Sequence, residues 1–420
     1  MLKNNMKQAQ IEDMVDRGFL GIQVTSSIGA IPVENARVSI SYSGEPEQVL
    51  EELSTNESGE TENIELATPP IELSLSPSEV QPYSEYNILV EAPGYEPVLI
   101  TGSELLAGRT AVQNVIMNPL ESMNRREEDI NIPEHTLYGD YPAKIPESEI
   151  KPMAETGEIV LSRVVIPEYV IVHDGVPSDA SAPNYYVRYK DYIKNVVSSE
   201  IYATWDEAAI YANTLCILSV TLNRVFTEWY RGKGYDFTIT SSTAFDQKWI
   251  YGRNTYENMD RIVDSIFANY LSRPGVKQPI FAGYCDGRRT NCDGLKQWGS
   301  QYLAEEGYSA IEIIRYYFGN DMYINTTEAI AGIPASWPGY NLEIGASGDK
   351  VRQLQNQLNR IAQNYPAIPT VTADGIYGER TAEAVRTFQG IFRLPQTGIT
   401  DYPTWYEISN IYVGVTRIAE

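Results

Sequence analysis

The apolar residues of this chain change their period near position 120, and that change limits the fold more than any single motif. From Gly18 to about Leu120, the segments GFLGIQVTS, ARVSISYSG, YNILVEAPGYEPVLIT and TAVQNVIMNPL alternate or carry β-branched runs, with turn residues between them. Further on, apolar positions recur at three- and four-residue spacing. Ala208, Ala212, Leu215, Ser219, Leu222, Phe226 and Trp229 form one such stripe, and Val351, Leu354, Leu358 and Ile361 form another. A chain of 420 residues has room for two to four domains, each with its own core. The pattern predicts a multidomain protein. An N-terminal arm at 1–17 leads into an antiparallel β-sandwich at 18–120, and a charged, Pro-rich surface linker follows at 121–160. A central α+β domain spans 161–325, and a C-terminal unit of three helices spans 340–420.

Charge narrows the partners. The formal net charge is -24 with a pI near 4.5, and no Lys or Arg lies between Arg37 and Arg109. Neutralising phosphates takes clustered cations, so nucleic acid and anionic membrane surfaces are excluded as electrostatic partners. A neutral polymer, a cationic one or another protein is compatible. The 30 tyrosines suit protein contact or sugar stacking where they are exposed, although many will be core. No run of roughly 18 to 20 apolar residues predicts a membrane span. The opening MLKNNMKQAQIEDMVDRGFL lacks the apolar stretch of a signal peptide.

Three cysteines, Cys216, Cys285 and Cys292, are too few for a disulfide framework, which predicts synthesis in a reducing cytoplasm. Action outside would then require lysis, engulfment or assembly into a particle. Cys216 sits beside an apolar helical stripe and reads as core. Cys285 and Cys292 read as free thiols, or as a disulfide formed after release, in preference to a zinc site. Structural zinc needs about four ligands, and His135 and His173 are the only histidines.

Two capping boxes mark helix starts: Thr204 with Glu207, and Ser309 with Glu312, the latter helix stopping at Gly319.

Three stretches resemble known families. GAIPVENARVSI, TNESGETENIEL and YNILVEAPGYEPV are similar to the carboxypeptidase regulatory-like sandwich, which implies a scaffold or binding unit of about 100 residues with no catalytic centre. GASGDKVRQLQNQLN, TADGIYGERTAEAVRTFQGIF and GITDYPTWYEI resemble the hydrolase-type peptidoglycan-binding domain. Its pattern is carried by Gly345, Gly348, Val351, Leu354, Gln355, Leu358, Asp374, Gly375, Tyr377, Gly378, Thr381, Ala384, Val385, Phe388, Gln389, Gly398, Thr404 and Trp405. Most of these are core or turn residues. The resemblance implies wall binding, with Tyr377, Arg380 and Gln389, read as exposed, as the candidates for contact.

The third resemblance covers about 187–320 and is to the stage II sporulation protein D family of lytic transglycosylases, which act on denuded peptidoglycan strands. It is carried by VRYKDYIKNVVSSEIYATW, STAFDQKWIYGRNTYENMDRIVDSI and GLKQWGSQYLAEEGYSAIEIIRYYFG. The family's essential acid falls on Glu200, behind Val196 and Val197; Ile201 and Tyr202 replace its usual Met-Pro. Asp246, Gln247, Tyr251 and Gly252 correspond to a second motif, and Gln297 and Trp298 to a third. The family's GHGVG is absent, and CDGRRTNCDG stands in its place. From the residues alone, Glu200 reads as a solvated acid just ahead of a helix start before it reads as a catalyst, and the resemblance reverses that order.

A single carboxylate suits transglycosylation. Hydrolases need two acids at a set separation. A lytic transglycosylase uses the sugar's own C6 hydroxyl, so one glutamate can protonate the leaving oxygen and then accept the hydroxyl proton. Such an acid needs a raised pKa, and Val196, Val197, Ile201 and Trp205 are neighbours of the right kind. Arg288 and Arg289 could meet an anionic lactyl or peptide carboxylate, or neutralise Asp286 and Asp293. Trp298 and Tyr302, one turn apart, read as core before they read as a sugar platform.

These readings combine into a wall-directed protein of the bacterial envelope or spore that cuts or grips glycan, with protein partners or self-assembly through the sandwich. The alternative is a non-catalytic adaptor that anchors a spore layer or a phage-tail-like assembly to the wall.

Overall fold

The computed structural model describes residues 16–28, 30–120, 128–151, 163–331 and 337–416. The expected arm lies outside these residues except for Asp16 and Arg17, which open the first strand.

The N-terminal part contains β1 (Asp16–Ser26), β2 (Arg37–Tyr42), β3 (Val49–Ser54), β4 (Ile64–Thr68), the short helix α1 (Glu72–Leu75), β5 (Ser84–Glu91), β6 (Val98–Leu105), β7 (Thr110–Met117) and β8 (Glu128–Asn131). One sheet has the order β3-β2-β5-β6-β8. A second runs β7-β1-β4 and is extended beyond β7 by Thr255–Tyr256 from the central part. Alternation does what it predicts: Leu20, Ile22 and Val24, Val38 and Ile40, and Ile88 and Val90 all point inward and are buried. The antiparallel arrangement is corrected. β1 pairs with β7 in parallel, from Phe19 opposite Thr110 to Ser26 opposite Met117, and β6 pairs with β8 in parallel. The sheets are mixed, because alternation records which face a residue takes and carries no information on a partner's direction.

The surface linker is also corrected where it is described. Glu128–Asn131 adds a strand to the five-stranded sheet, and His135, Leu137 and Lys151 are buried. Ile145 N donates to Ala244 O and Phe281 N to Glu149 O, each at 2.7 Å, so this stretch is stitched to the central part by backbone bonds. The remainder of the expected linker, 121–127 and 152–160, lies outside the described residues.

The central part runs β9 (Tyr169–His173), β10 (Asn184–Arg188), α2 (Tyr189–Glu200), α3 (Glu207–Phe226), β11 (Ile239–Thr240), β12 (Thr255–Tyr256) and α4 (Glu257–Ile266). It continues with β13 (Asn269–Ser272), β14 (Tyr284–Cys285), β15 (Leu295–Lys296), α5 (Gln297–Glu305), α6 (Ala310–Phe318) and β16 (Tyr323–Thr326). Helix α3 is the hub. By length and composition alone it could cross a membrane, but most of its residues, Arg224 and Asn223 included, are buried within this protein. Its N-cap is Asp206, which accepts from Ala208 N at 2.9 Å, and not the expected Thr204. The Thr204 hydroxyl donates instead to Ser74 Oγ of α1 at 2.8 Å. The Ser309–Glu312 capping box and the Gly319 stop are present as expected, with φ 92° at the glycine.

The C-terminal helices are α7 (Asp349–Ile361), α8 (Glu379–Ile391) and α9 (Tyr402–Thr416). Two buried glutamines, one on each of the first two helices, hold the loops. Gln355 Nε2 donates to Ile376 O at 3.0 Å while its Oε1 accepts from Gly375 N at 2.8 Å. Gln389 Nε2 donates to Ile399 O at 2.9 Å while its Oε1 accepts from Gly398 N at 2.8 Å. Gln389→Ala strands a buried N–H and a buried C=O, so it is expected to lower stability by about 2–3 kcal/mol, measured by urea unfolding.

This part docks on the other two. Arg188 donates to Asn410 O and Oδ1 at 3.1 and 2.8 Å, Lys190 pairs with Glu407, Phe267 packs on Tyr402 and Tyr406, and Tyr365 Oη donates to Ala30 O at 3.1 Å. Lys190 and Lys194 also bracket Asp264, at 3.0 and 2.9 Å. Asp260 nearby is less well served: Oδ2 accepts from Thr255 Oγ1 at 2.8 Å, but Oδ1 is buried with no partner. Burial pushes its carboxyl up to about 6, against the pull of Lys194. The folded state therefore holds a proton between about pH 4 and 6 that the unfolded chain releases, and stability falls as pH rises through that window. Asp260→Asn is expected to unfold like the wild type at pH 4 and to be more stable at pH 8, by about 1–2 kcal/mol, in thermal scans.

Candidate functional site

Glu200 is the last residue of α2, and its carboxylate faces inward; the residue is 4% exposed. Three elements that are distant in sequence converge on it. Lys248 N donates to Oε1 at 2.7 Å, Tyr284 Oη donates to the same oxygen at 3.2 Å, and Gln297 Nε2 donates to Oε2 at 3.2 Å. Gln297 Nε2 also reaches Glu200 O at 3.0 Å, which ties the start of α5 to the end of α2. Tyr284 Oη lies 3.3 Å from Gln247 Oε1. Gln247 Nε2 in turn donates to Thr221 Oγ1 at 2.6 Å and to Tyr192 Oη at 3.1 Å. Burial and the Glu200 charge hold the Tyr284 phenol well above the ordinary tyrosine range, so it stays a proton donor at neutral pH.

A lysine closes the arrangement. Lys144 Nζ sits 4.8 Å from the centre of the Tyr284 ring, is buried, and has no hydrogen-bond partner. Burial lowers its pKa, and the charges of Glu200 and Asp246 oppose that. The stretch around it packs against the backbone on either side of Glu200. Thr136 Oγ1 donates to Ser199 O at 2.8 Å, His135 Nε2 lies 3.3 Å from Ile201 O, and Arg289 Nη1 donates to Tyr138 O at 2.6 Å.

The positions expected from the sequence divide. Glu200, Gln247 and Gln297 come together. Tyr251 lies apart from that trio, at the surface, where it donates to Glu128 Oε1 at 2.8 Å and stacks on Tyr185. Trp298 is buried against Trp205 and Tyr202, with ring centroids 4.9 and 6.0 Å away. Arg288 pairs with Glu79 of the N-terminal part at 2.9 Å. Asp286 accepts from Arg289 N and Thr290 N and so shapes its own loop. In the C-terminal part Arg380 is exposed, but Tyr377 and Gln389 are buried, contrary to the exposure expected of them. The Tyr377 hydroxyl donates to Gly398 O at 2.9 Å, so its ring and hydroxyl serve packing. Tyr284 and Lys144 were missed. Tyr284 carries only the weak signal of preceding Cys285, and Lys144, between two prolines, carries none.

Cys285 and Cys292 form a disulfide, which closes the loop that stands where the family's GHGVG would be; Cys216 is a buried free thiol. Gly294 in this loop admits no side chain, since a Cβ there would lie 1.7 Å from Gly283 O. His135 packs on Tyr202 and His173 stacks on Phe237. Among the described residues, no three His, Cys, Asp or Glu side chains gather where they could hold a metal ion.

Residues 347–408 match the family model of the putative peptidoglycan binding domain. The C-terminal part is similar to that peptidoglycan-binding family. The similarity supports wall association. Two solved structures are similar to about a quarter of the chain. The Bacillus anthracis TIE protein is 14% identical, with 25% of this chain and 17% of that chain covered, at a TM-score of 0.19. GBS52, the minor pilin of Streptococcus agalactiae, is 11% identical, with 26% and 48% covered, also at a TM-score of 0.19. The chain thus spans less than half the length of either. No curated protein matches.

Proposed function

We propose that this protein cleaves peptidoglycan glycan strands as a lytic transglycosylase, held on the wall by its C-terminal domain. The observation that carries the reading is the meeting of Glu200, Gln247 and Gln297, three residues from separate motifs of the stage II sporulation protein D resemblance, around one buried carboxylate. In the proposed reaction, protonated Glu200 gives its proton to the glycosidic oxygen. The muramyl C6 hydroxyl then attacks C1 and returns a proton to Glu200, leaving a 1,6-anhydro sugar and an unchanged enzyme. Tyr284 and Gln297 orient the carboxylate, and the N-terminal part is a scaffold. On this reading the protein works at the envelope or spore surface of a bacterium. Glu200 is 4% exposed, so a glycan strand reaches it only when the packing around it opens.

That same burial favours the second reading, a non-catalytic adaptor that grips the wall and presents its acidic N-terminal part to an assembly. Mass spectrometry of peptidoglycan, with and without peptide stems, after incubation with the full chain separates the two. Anhydromuramyl products support the enzyme. Wall binding with no products supports the adaptor, and products with reducing ends indicate a hydrolase with a second acid.

A further inference from the structure

Two of the three donors that hold the Glu200 carboxylate stand at the two roots of one loop. Tyr284, which donates to Oε1, opens β14; Gln297, which donates to Oε2 and to the Glu200 carbonyl, directly follows β15. The chain between them runs from Cys285 to Lys296, and the Cys285–Cys292 disulfide closes most of it into a ring. Little else joins the two roots. β14 and β15 pair over two residues each, Tyr284 opposite Leu295 and Cys285 opposite Lys296. Leu295 N donates to Gly283 O at 3.1 Å and Trp298 N to Asp286 O at 3.2 Å. A parallel pairing this short does not hold itself. The other bonds of the loop stay within one arm or lead outward. Asp286 accepts from Arg289 N and Thr290 N, Lys296 Nζ donates to Gly294 O, and Arg288 and Arg289 tie the tip to Glu79 and Tyr138 O. The bridge shortens the covalent route from one root to the other, and so removes the open conformations that the arms would sample.

We infer that Cys285 and Cys292 are positioning residues for Glu200, and that their oxidation state switches the site. With the bridge formed, Tyr284 and Gln297 are presented to the carboxylate together. With the bridge reduced, the arms part and Glu200 loses both donors. Cys285 is buried and Cys292 half-buried, so a reductant meets the Cys292 sulfur first. For a dithiol reductant the exchange balances. Its thiolate attacks the Cys292 sulfur, and Cys285 leaves as a thiolate and takes a proton. The second thiol then displaces Cys292, which is protonated in turn, and the reductant departs as a cyclic disulfide with two electrons passed to the protein. The effect on cutting rests on the proposed function; the effect on the carboxylate does not.

The Lys248 amide reads the carboxylate from outside the loop, because its 2.7 Å bond to Glu200 Oε1 involves neither arm. The test compares the oxidised full chain, the same chain in dithiothreitol, and Cys292→Ser, by amide hydrogen exchange and by muropeptide mass spectrometry. Reduction is expected to speed exchange of the Lys248 amide at least about tenfold, together with the amides of 284–297, while α7–α9 stay as protected as before. Cys292→Ser should match the reduced protein and respond no further to dithiothreitol, which separates the bridge from the free thiol of Cys216. Release of anhydromuramyl products should fall about tenfold to a hundredfold in both. Equal protection of Lys248 in the oxidised and reduced proteins would overturn the inference, as would cutting that reduction leaves unchanged. Faster exchange throughout the molecule, α7–α9 included, would also overturn it, since the bridge would then stabilise the fold and position nothing. If the oxidised protein releases no anhydromuramyl products, the proposed function fails, and the Lys248 amide still decides this inference.

Discussion

Glu200→Gln is expected to abolish the release of anhydromuramyl products from peptidoglycan, by at least about a thousandfold, while the protein stays folded and still sediments with the wall. The amide keeps the shape of the carboxylate and can still accept from Lys248 N and Tyr284 Oη through its oxygen. It has no proton to give a leaving oxygen and cannot take one from the C6 hydroxyl, so both halves of the reaction fail together. Its NH2 would face Gln297 Nε2, a donor against a donor, unless the Gln297 amide turns over. The stability change should therefore stay small, about 1 kcal/mol. The measurements are muropeptide mass spectrometry and a thermal scan on the same preparation. Full activity in the variant would end the assignment of Glu200 as acid and base. Loss of activity with loss of folding would leave Tyr284→Phe as the sharper variant, since it removes one donor to Glu200 and keeps the ring under Lys144.

What could be read in the sequence follows from which physics is local. The strand segments and the stripe on α3 were legible because burial imposes a period on neighbouring residues, and Leu20, Ile22 and Val24 obey it. Pairing direction was not legible, because the parallel match of β1 with β7 is settled by how the 83 residues between Ser26 and Thr110 return the chain. Composition misled at 128–151. Its prolines and charges read as solvated, yet its burial comes from isolated residues such as His135, Leu137 and Lys151 that show no period. At the site, Glu200, Gln247 and Gln297 were legible through a motif resemblance. Tyr284 reaches the same carboxylate, and Lys144 reaches the Tyr284 ring, through tertiary packing that left no pattern to find. The motif glutamines Gln355 and Gln389 taught the opposite lesson: a polar residue in a binding-domain pattern can belong there because it closes loops.

The largest loss of stability should come from a residue outside both the proposed Glu200 site and the C-terminal part. Arg253 and Glu104 form a fully buried ion pair, with two parallel contacts of 2.9 and 2.5 Å, between the central part and strand β6. Arg253 Nε also donates to Ser198 O at 3.0 Å, two residues before Glu200. The neighbouring Asn254 bonds both the N–H and the C=O of Glu104, at 3.0 and 2.9 Å. This cluster sits where Thr255–Tyr256 pairs with β7, so it locks the shared sheet in register. Removing one partner leaves a buried charge with nothing to answer it, which costs more than the pair contributes. Arg253→Ala is expected to lower unfolding stability by about 3–5 kcal/mol. Glu104→Gln should fall in the same direction. The double replacement Glu104→Met with Arg253→Met, which removes both charges at similar volume, should recover most of the loss. Urea unfolding of the wild type, Glu104→Met, Arg253→Met and the double replacement closes the cycle. If each single change costs under about 1 kcal/mol, the pair is solvated in solution and the two parts are not held as one body there.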